Sequence, residues 1–150
     1  MKSKLRTINY LLLFSLLLSP LFSKAQTDIH GTWWTPKKGG QIKMYLAKDG
    51  KTYGKMAWLK EPNEENGTPK VDNKNPNPDL RKEPLLGLLI FKHFTYDGNN
   101  KWVDGEVYDA QTGKTYSCQM TLIEPNKLEV RGYIGIPMFG RAEIFTRVVE

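Results

Sequence analysis

From Gly31 onward, apolar side chains recur with a two-residue period in short runs, each ended by glycine, proline or asparagine. That alternation predicts strands with one buried face rather than helices. The runs cover residues 31–35, 41–47, 52–60, 85–94, 102–109, 115–123, 127–134 and 140–149. Between the second and third lies Lys48-Asp49-Gly50-Lys51, a hairpin signal because glycine accepts positive φ at little cost. Asp97-Gly98-Asn99-Asn100, Thr112-Gly113 and Glu124-Pro125-Asn126 punctuate later runs in the same way. Strands joined by short turns pair as antiparallel neighbours, and eight of them can close into an up-and-down barrel without exposed edges. The expected fold is therefore all-β: an eight-stranded antiparallel barrel. A helical turn could begin only within residues 79–89.

Parity along the runs gives the expected interior. Tyr116, Cys118, Met120 and Leu122 share one face of their strand, as do Ile42, Met44 and Leu46 of theirs. On the intervening strand Met56 and Trp58 oppose Tyr53, Lys55, Ala57 and Leu59, so parity leaves the inner face of that strand open. Met44, Met56, Trp58, Tyr116 and Met120 are thus the candidate contacts of an adaptable apolar cavity. The competing expectation is a barrel simply filled by these side chains.

One connection is long. Residues 61–84 hold five prolines and five asparagines, which bars them from a sheet interior. Loops beyond about 12–15 residues are commonly functional, so this one is expected to cap a barrel end as a stiff lid. Its lid residues are Asp72, Asn75, Asn77, Asp79 and Arg81, with Arg81 expected to pair with Asp72 or Asp79. The alternating oxygens of Asn73, Asn75, Asn77 and Asp79 resemble a calcium array, but Pro76 and Pro78 favour side-chain-capped turns instead.

Composition first suggests a nucleic-acid binder, since the formal charge is +6. The N-terminus removes that impression. Lys2, Lys4 and Arg6 precede an apolar run broken at Pro20, and Ser23-Lys24-Ala25 offers small residues at a cleavage site. The run from Ile8 to Phe22 is about 15 residues, short of the ~20 needed to span a bilayer. Residues 1–25 are therefore expected to be a signal peptide, and 26–150 the barrel domain. Removing Lys2, Lys4, Arg6 and Lys24 from the 22 basic residues leaves 18 against 16 acidic ones, a net charge of +2. The mature protein is expected in the periplasm or secreted, bound to no nucleic acid and not inserted in the membrane.

Catalytic signals are sparse. Cys118 lies on the apolar face, and neither His30 nor His93 stands in a motif that would place it beside a nucleophile. Asp104 and Glu106 share a strand face about 6–7 Å apart, a spacing usable for paired acid–base chemistry but more often a solvated stripe. No metal ligand set and no cofactor motif is expected. The best-supported activity is non-covalent binding of a small apolar ligand in the barrel mouth. The alternative is a cell-envelope interaction protein with a filled barrel, and the third reading is a hydrolase using Asp104 and Glu106.

Two resemblances bear on this. Gly31-Thr32-Trp33 on the first strand with Arg147 on the last resembles the lipocalin and calycin signature, which implies that Trp33 and Arg147 pack across one barrel end. More specifically, the chain is similar to domain-of-unknown-function family 2147, small exported bacterial proteins thought to be lipocalin-like. The matching segments include Tyr53-Gly54-Lys55, Asp72 with Asn75-Pro76-Asn77-Pro78-Asp79-Leu80-Arg81, and Leu86-Gly87. Tyr108-Asp109, Gly113-Lys114-Thr115-Tyr116, Val130-Arg131-Gly132-Tyr133 and Gly140-Arg141 continue the match. Ala110 stands where the family often has proline, and Phe145 where it tends to carry tryptophan. The resemblance implies the fold and no reaction.

Overall fold

The computed structural model describes residues 28–149, so the expected signal peptide lies outside the described residues. The strands are β1 (Gly31–Trp34), β2 (Gly40–Leu46), β3 (Thr52–Leu59), β4 (Leu89–Gly98), β5 (Lys101–Asp109), β6 (Lys114–Glu124), β7 (Lys127–Tyr133) and β8 (Arg141–Arg147). Each pairs antiparallel with its neighbours in chain order, and β1 closes on β8 through Trp33–Arg147 and Trp34–Thr146. The expected eight-stranded up-and-down barrel is the observed fold.

Turn chemistry explains where the strands end. Asn99 and Asn100 both adopt positive φ, at 51° and 58°, and make a two-residue turn. Asparagine tolerates that conformation and suits a tight hairpin. β4 consequently runs to Gly98 rather than stopping at Phe94. Its start also moves, from residue 85 to 89, because Gly87 turns the chain at φ 87° and Leu85 bonds back to the Lys70 carbonyl. The helical turn considered for residues 79–89 reduces to a single 3-10 turn at Pro78–Leu80.

Bulges re-aim several side chains. The β2–β3 register slips between Gln41 and Ile42, so Trp58 pairs with outward-facing Gln41 while Met56 pairs with inward-facing Ile42. Another slip, between Trp102 and Gly105, puts Asp104 at φ 58°. Gly105 then faces the Phe94 ring so closely that a Cβ would overlap it.

The barrel has two unlike halves. At the end carrying the β2–β3, β4–β5 and β6–β7 turns, Ile29, Trp33, Met44, Phe94, Trp102, Cys118, Met120, Leu122 and Leu128 are buried and packed together. At the other end Phe91 and Phe145 meet edge to face at 5.9 Å and floor a hollow mouth. Among the described residues no helix is long and apolar enough to cross a membrane.

Candidate functional site

The mouth holds two adjoining lobes that share Phe91, Val107, Asp109 and Phe145 as walls. The first, of about 230 Å³, is almost wholly apolar and lies against Met56, Leu85, Leu88 and Ile90. The second, of about 390 Å³, is lined by Tyr116, Val130 and Gly132, and its outer edge carries Arg141 and Glu143. The larger lobe lies within the ~300–1,000 Å³ range of small-molecule sites. An apolar interior with a charged rim suits an amphipathic or apolar guest, whose polar end stays at the edge.

Of the expected cavity contacts, Met56 lines the first lobe and Tyr116 the second. Met44 and Met120 have the expected inward parity but sit below the Phe91–Phe145 floor, fully buried in the packed half. Trp58 is a correction. The β3 bulge turns it to the outer surface, 40% exposed, where its ring stands edge-on to Trp34 at 5.4 Å. Leu59, the next residue, turns inward and lines the first lobe in its place.

The connection between β3 and β4, residues 60–88, meets the cavity through Leu85 and Leu88. The asparagine–proline run borders neither lobe. Asn75 Oδ1 accepts from the Asn77 amide and Asn77 Oδ1 from the Asp79 amide, so these oxygens cap successive turns. Asp72 is the buried anchor. Its Oδ1 accepts from the Tyr108 hydroxyl at 2.8 Å and its Oδ2 from the Asn75 amide group at 2.7 Å. The expected pairing of Arg81 with an acid is also corrected: Arg81 Nε donates to the Asn75 carbonyl at 2.8 Å, and Asp72 is occupied by neutral donors. Burial, together with the bond to Asp72, pushes the Tyr108 hydroxyl up to about 12. Gly113, at φ 71°, completes the seat, since a Cβ there would collide with the Lys74 carbonyl. Asp72–Tyr108 thus fixes the wall that supplies Leu85 and Leu88.

At the packed end, the Arg147 guanidinium lies 4.2 Å over the Trp33 ring. Its three nitrogens donate to the carbonyls of Asp28, His30 and Pro125. Trp33 Nε1 donates to the Ile29 carbonyl at 2.8 Å. The N-terminal segment is thereby tied across the barrel base.

An arrangement that sequence reasoning missed lies beside it. His30 Nδ1 is 2.6 Å from Asp28 Oδ1, and His30 Nε2 is 3.1 Å from the Thr52 hydroxyl. The order carboxylate–imidazole–hydroxyl is that of a nucleophile relay. Here Thr52 is buried and neither cavity lobe reaches it, so the chain of bonds acts as a latch for the N-terminal segment. Cys118 is sealed in the packed half, and burial pushes its thiol up to about 12. Asp104 and Glu106 are exposed and border neither lobe. Among the described residues, no three His, Cys, Asp or Glu side chains cluster as a metal site.

Comparison with known proteins agrees with this geometry. No curated protein matches the sequence. Among solved structures, protein HP1028 from the human pathogen Helicobacter pylori, described as belonging to the lipocalin family, superposes with a TM-score of 0.72. The match covers 82% of this chain and 84% of that one at 20% identity, which establishes a shared lipocalin-like fold. The model of a family of uncharacterized proteins conserved in bacteria matches residues 31–147, all eight strands of the barrel, and the chain belongs to that family, DUF2147.

Proposed function

We propose that the protein is an exported carrier that binds one small, mainly apolar molecule non-covalently in its open mouth. The observation that carries this reading is the contrast inside one barrel. The packed half holds large buried side chains, whereas the mouth keeps two adjoining lobes, an apolar one of about 230 Å³ and one of about 390 Å³ with a charged edge. A filled barrel acting only through its loops needs no such hollow, since packed interiors otherwise leave few voids larger than a water. The lipocalin-like fold supports the same reading, because small apolar guests suit a barrel mouth of this shape. Asp104 and Glu106 take no part in it.

The apolar body of the guest would rest on Phe91, Phe145, Met56 and Ile90. A polar end would face Tyr116, Arg141 and Glu143. The export part of the proposal rests on residues 1–25 and their three-part pattern. Native mass spectrometry of protein purified from its host tests both parts. A chain beginning at Gln26 with a co-purified small-molecule mass is the expected result. A folded product retaining Met1–Ala25 would contradict export, and an invariably empty chain that takes up no apolar probe would contradict binding.

A further inference from the structure

The rim of the mouth carries an exposed apolar loop that the cavity does not use. Between β7 and β8, Ile134, Ile136, Met138 and Phe139 are 79%, 50%, 78% and 80% exposed. The intervening residues are Gly135 and Pro137, so residues 134–140 contain no charge at all. Pro137–Phe139 forms a 3-10 turn, and Gly140 fits so tightly against the Gly132 carbonyl that a Cβ would approach it to 2.7 Å. The apolar tips are therefore presented by a braced turn. Four such side chains on one short loop are unusual for a monomer surface and mark an interaction site.

The surrounding charges indicate what is met there. Because β8 pairs with β1 and β7 with β6, the neighbouring loops on this rim are 35–39 and 110–113. The first carries exposed Lys37 and Lys38 and no acid; exposed Lys114 follows the second, and Arg141 follows the apolar loop itself. Of the nearby acids, Asp109 is engaged by the Gln111 amide and the Thr112 hydroxyl, and Glu143 shares the edge of the second lobe with Arg141, so those two charges offset each other. The connection 60–88 touches both neighbouring loops, through Lys60 at Gly39 and Lys74 at Gly113, but its six acids are nearly matched by five basic residues. Apolar tips flanked by the exposed Lys37, Lys38 and Lys114 complement an anionic lipid surface, with side chains entering the interface and lysines meeting headgroups.

We infer that the 134–140 loop docks the open mouth onto an anionic membrane surface, so that an apolar guest can pass between bilayer and cavity without crossing water. The docking surface itself goes beyond the carrier reading, because none of its four apolar tips lines the cavity.

Co-sedimentation with vesicles tests it, using protein purified from its host and verified by intact mass. Wild type should sediment with vesicles containing phosphatidylglycerol and far less with pure phosphatidylcholine, and added salt should weaken the association. Met138→Ser with Phe139→Ser should cut binding at least tenfold with an unchanged melting temperature, since both side chains are solvent-exposed. Lys37→Ser with Lys38→Ser should reduce it several-fold at low salt only. Wild type that ignores anionic vesicles, or a loop variant that binds as wild type does, would overturn the proposal. So would a dimer abolished by the loop variant without vesicle binding, which would make the loop a self-association surface. Uptake of a soluble apolar probe reads the cavity separately. Vesicle binding without probe uptake would sink the carrier reading alone, and the reverse would sink docking alone.

Discussion

The two halves of this barrel use the same alternating strands for opposite ends. Below the Phe91–Phe145 floor, β5 and β6 contribute Trp102, Cys118 and Met120, and Phe94 fills the space that Gly105 leaves open. Above it the same two strands contribute Val107 and Tyr116, and beside them β7 offers Gly132, whose missing side chain leaves room in the larger lobe. A glycine filled by a large ring makes core; a glycine that no neighbouring side chain fills makes cavity. Stability is therefore concentrated in the base, and the capacity to bind in the mouth.

The largest effect expected from breaking that division is at Trp33. Trp33→Ala removes a fully buried aromatic and should cost about 3–5 kcal/mol. Arg147→Ala should cost less, and the double variant should be non-additive, because the two groups touch at 4.2 Å. Denaturant melts read all three, and strictly additive losses would contradict the contact. None of these changes should alter probe affinity in protein that remains folded.

Next in size is the anchor of the mouth wall. Asp72→Ala leaves the buried Tyr108 hydroxyl without its acceptor and should cost about 1–3 kcal/mol. Unlike the base variants, it should also weaken binding, because Leu85 and Leu88 lose their fixed position. Limited proteolysis within residues 60–88 should speed up in the same variant. A Gly/Ser replacement of residues 75–79 should be milder and leave probe affinity near wild type, since that run borders neither lobe.

Alkaline titration separates the halves by group. Folding raises the Cys118 thiol from its ordinary value of 9, and the Tyr108 hydroxyl from 10, each to about 12. Each group keeps its proton more firmly when folded, so its contribution is fully present below the unfolded value. That contribution is lost as pH rises toward 12. The melting temperature should fall from about pH 9, and more steeply above 10 where Tyr108 joins Cys118. Tyr108→Phe should flatten only the part above pH 10, and Cys118→Val the part that begins at 9. A flat profile in wild type would contradict both burials.

The strand count, closure and most turns were legible because alternation and turn residues are local signals. The packing of Trp33 with Arg147 was legible only through the resemblance of Gly31-Thr32-Trp33 to a known signature. Trp58 was misplaced because a bulge reverses parity, and nothing in Lys55-Met56-Ala57-Trp58 announces an extra residue in the ladder. Met44 and Met120 were given the right face but the wrong height, since parity says nothing about position along the barrel axis. The Asp72–Tyr108 bond spans 36 residues of sequence and depends on the path of a whole loop, so no local pattern encodes it. The smallest predicted effect follows from the first of these errors: Trp58→Ala should leave probe affinity unchanged, because the ring packs on Trp34 outside the barrel.

The division into packed base and binding mouth is tested most directly by titrating an apolar fluorescent probe against wild type and Gly132→Leu. A Cβ at Gly132 meets only Val107 and Tyr116, at 3.6 and 3.8 Å, so leucine can extend into the larger lobe without disturbing the strands. Saturable one-to-one binding by wild type, weakened at least tenfold in Gly132→Leu with a melting temperature within a few degrees, is the predicted result. Equal affinity in the two proteins, or no saturable binding in wild type, would contradict the account.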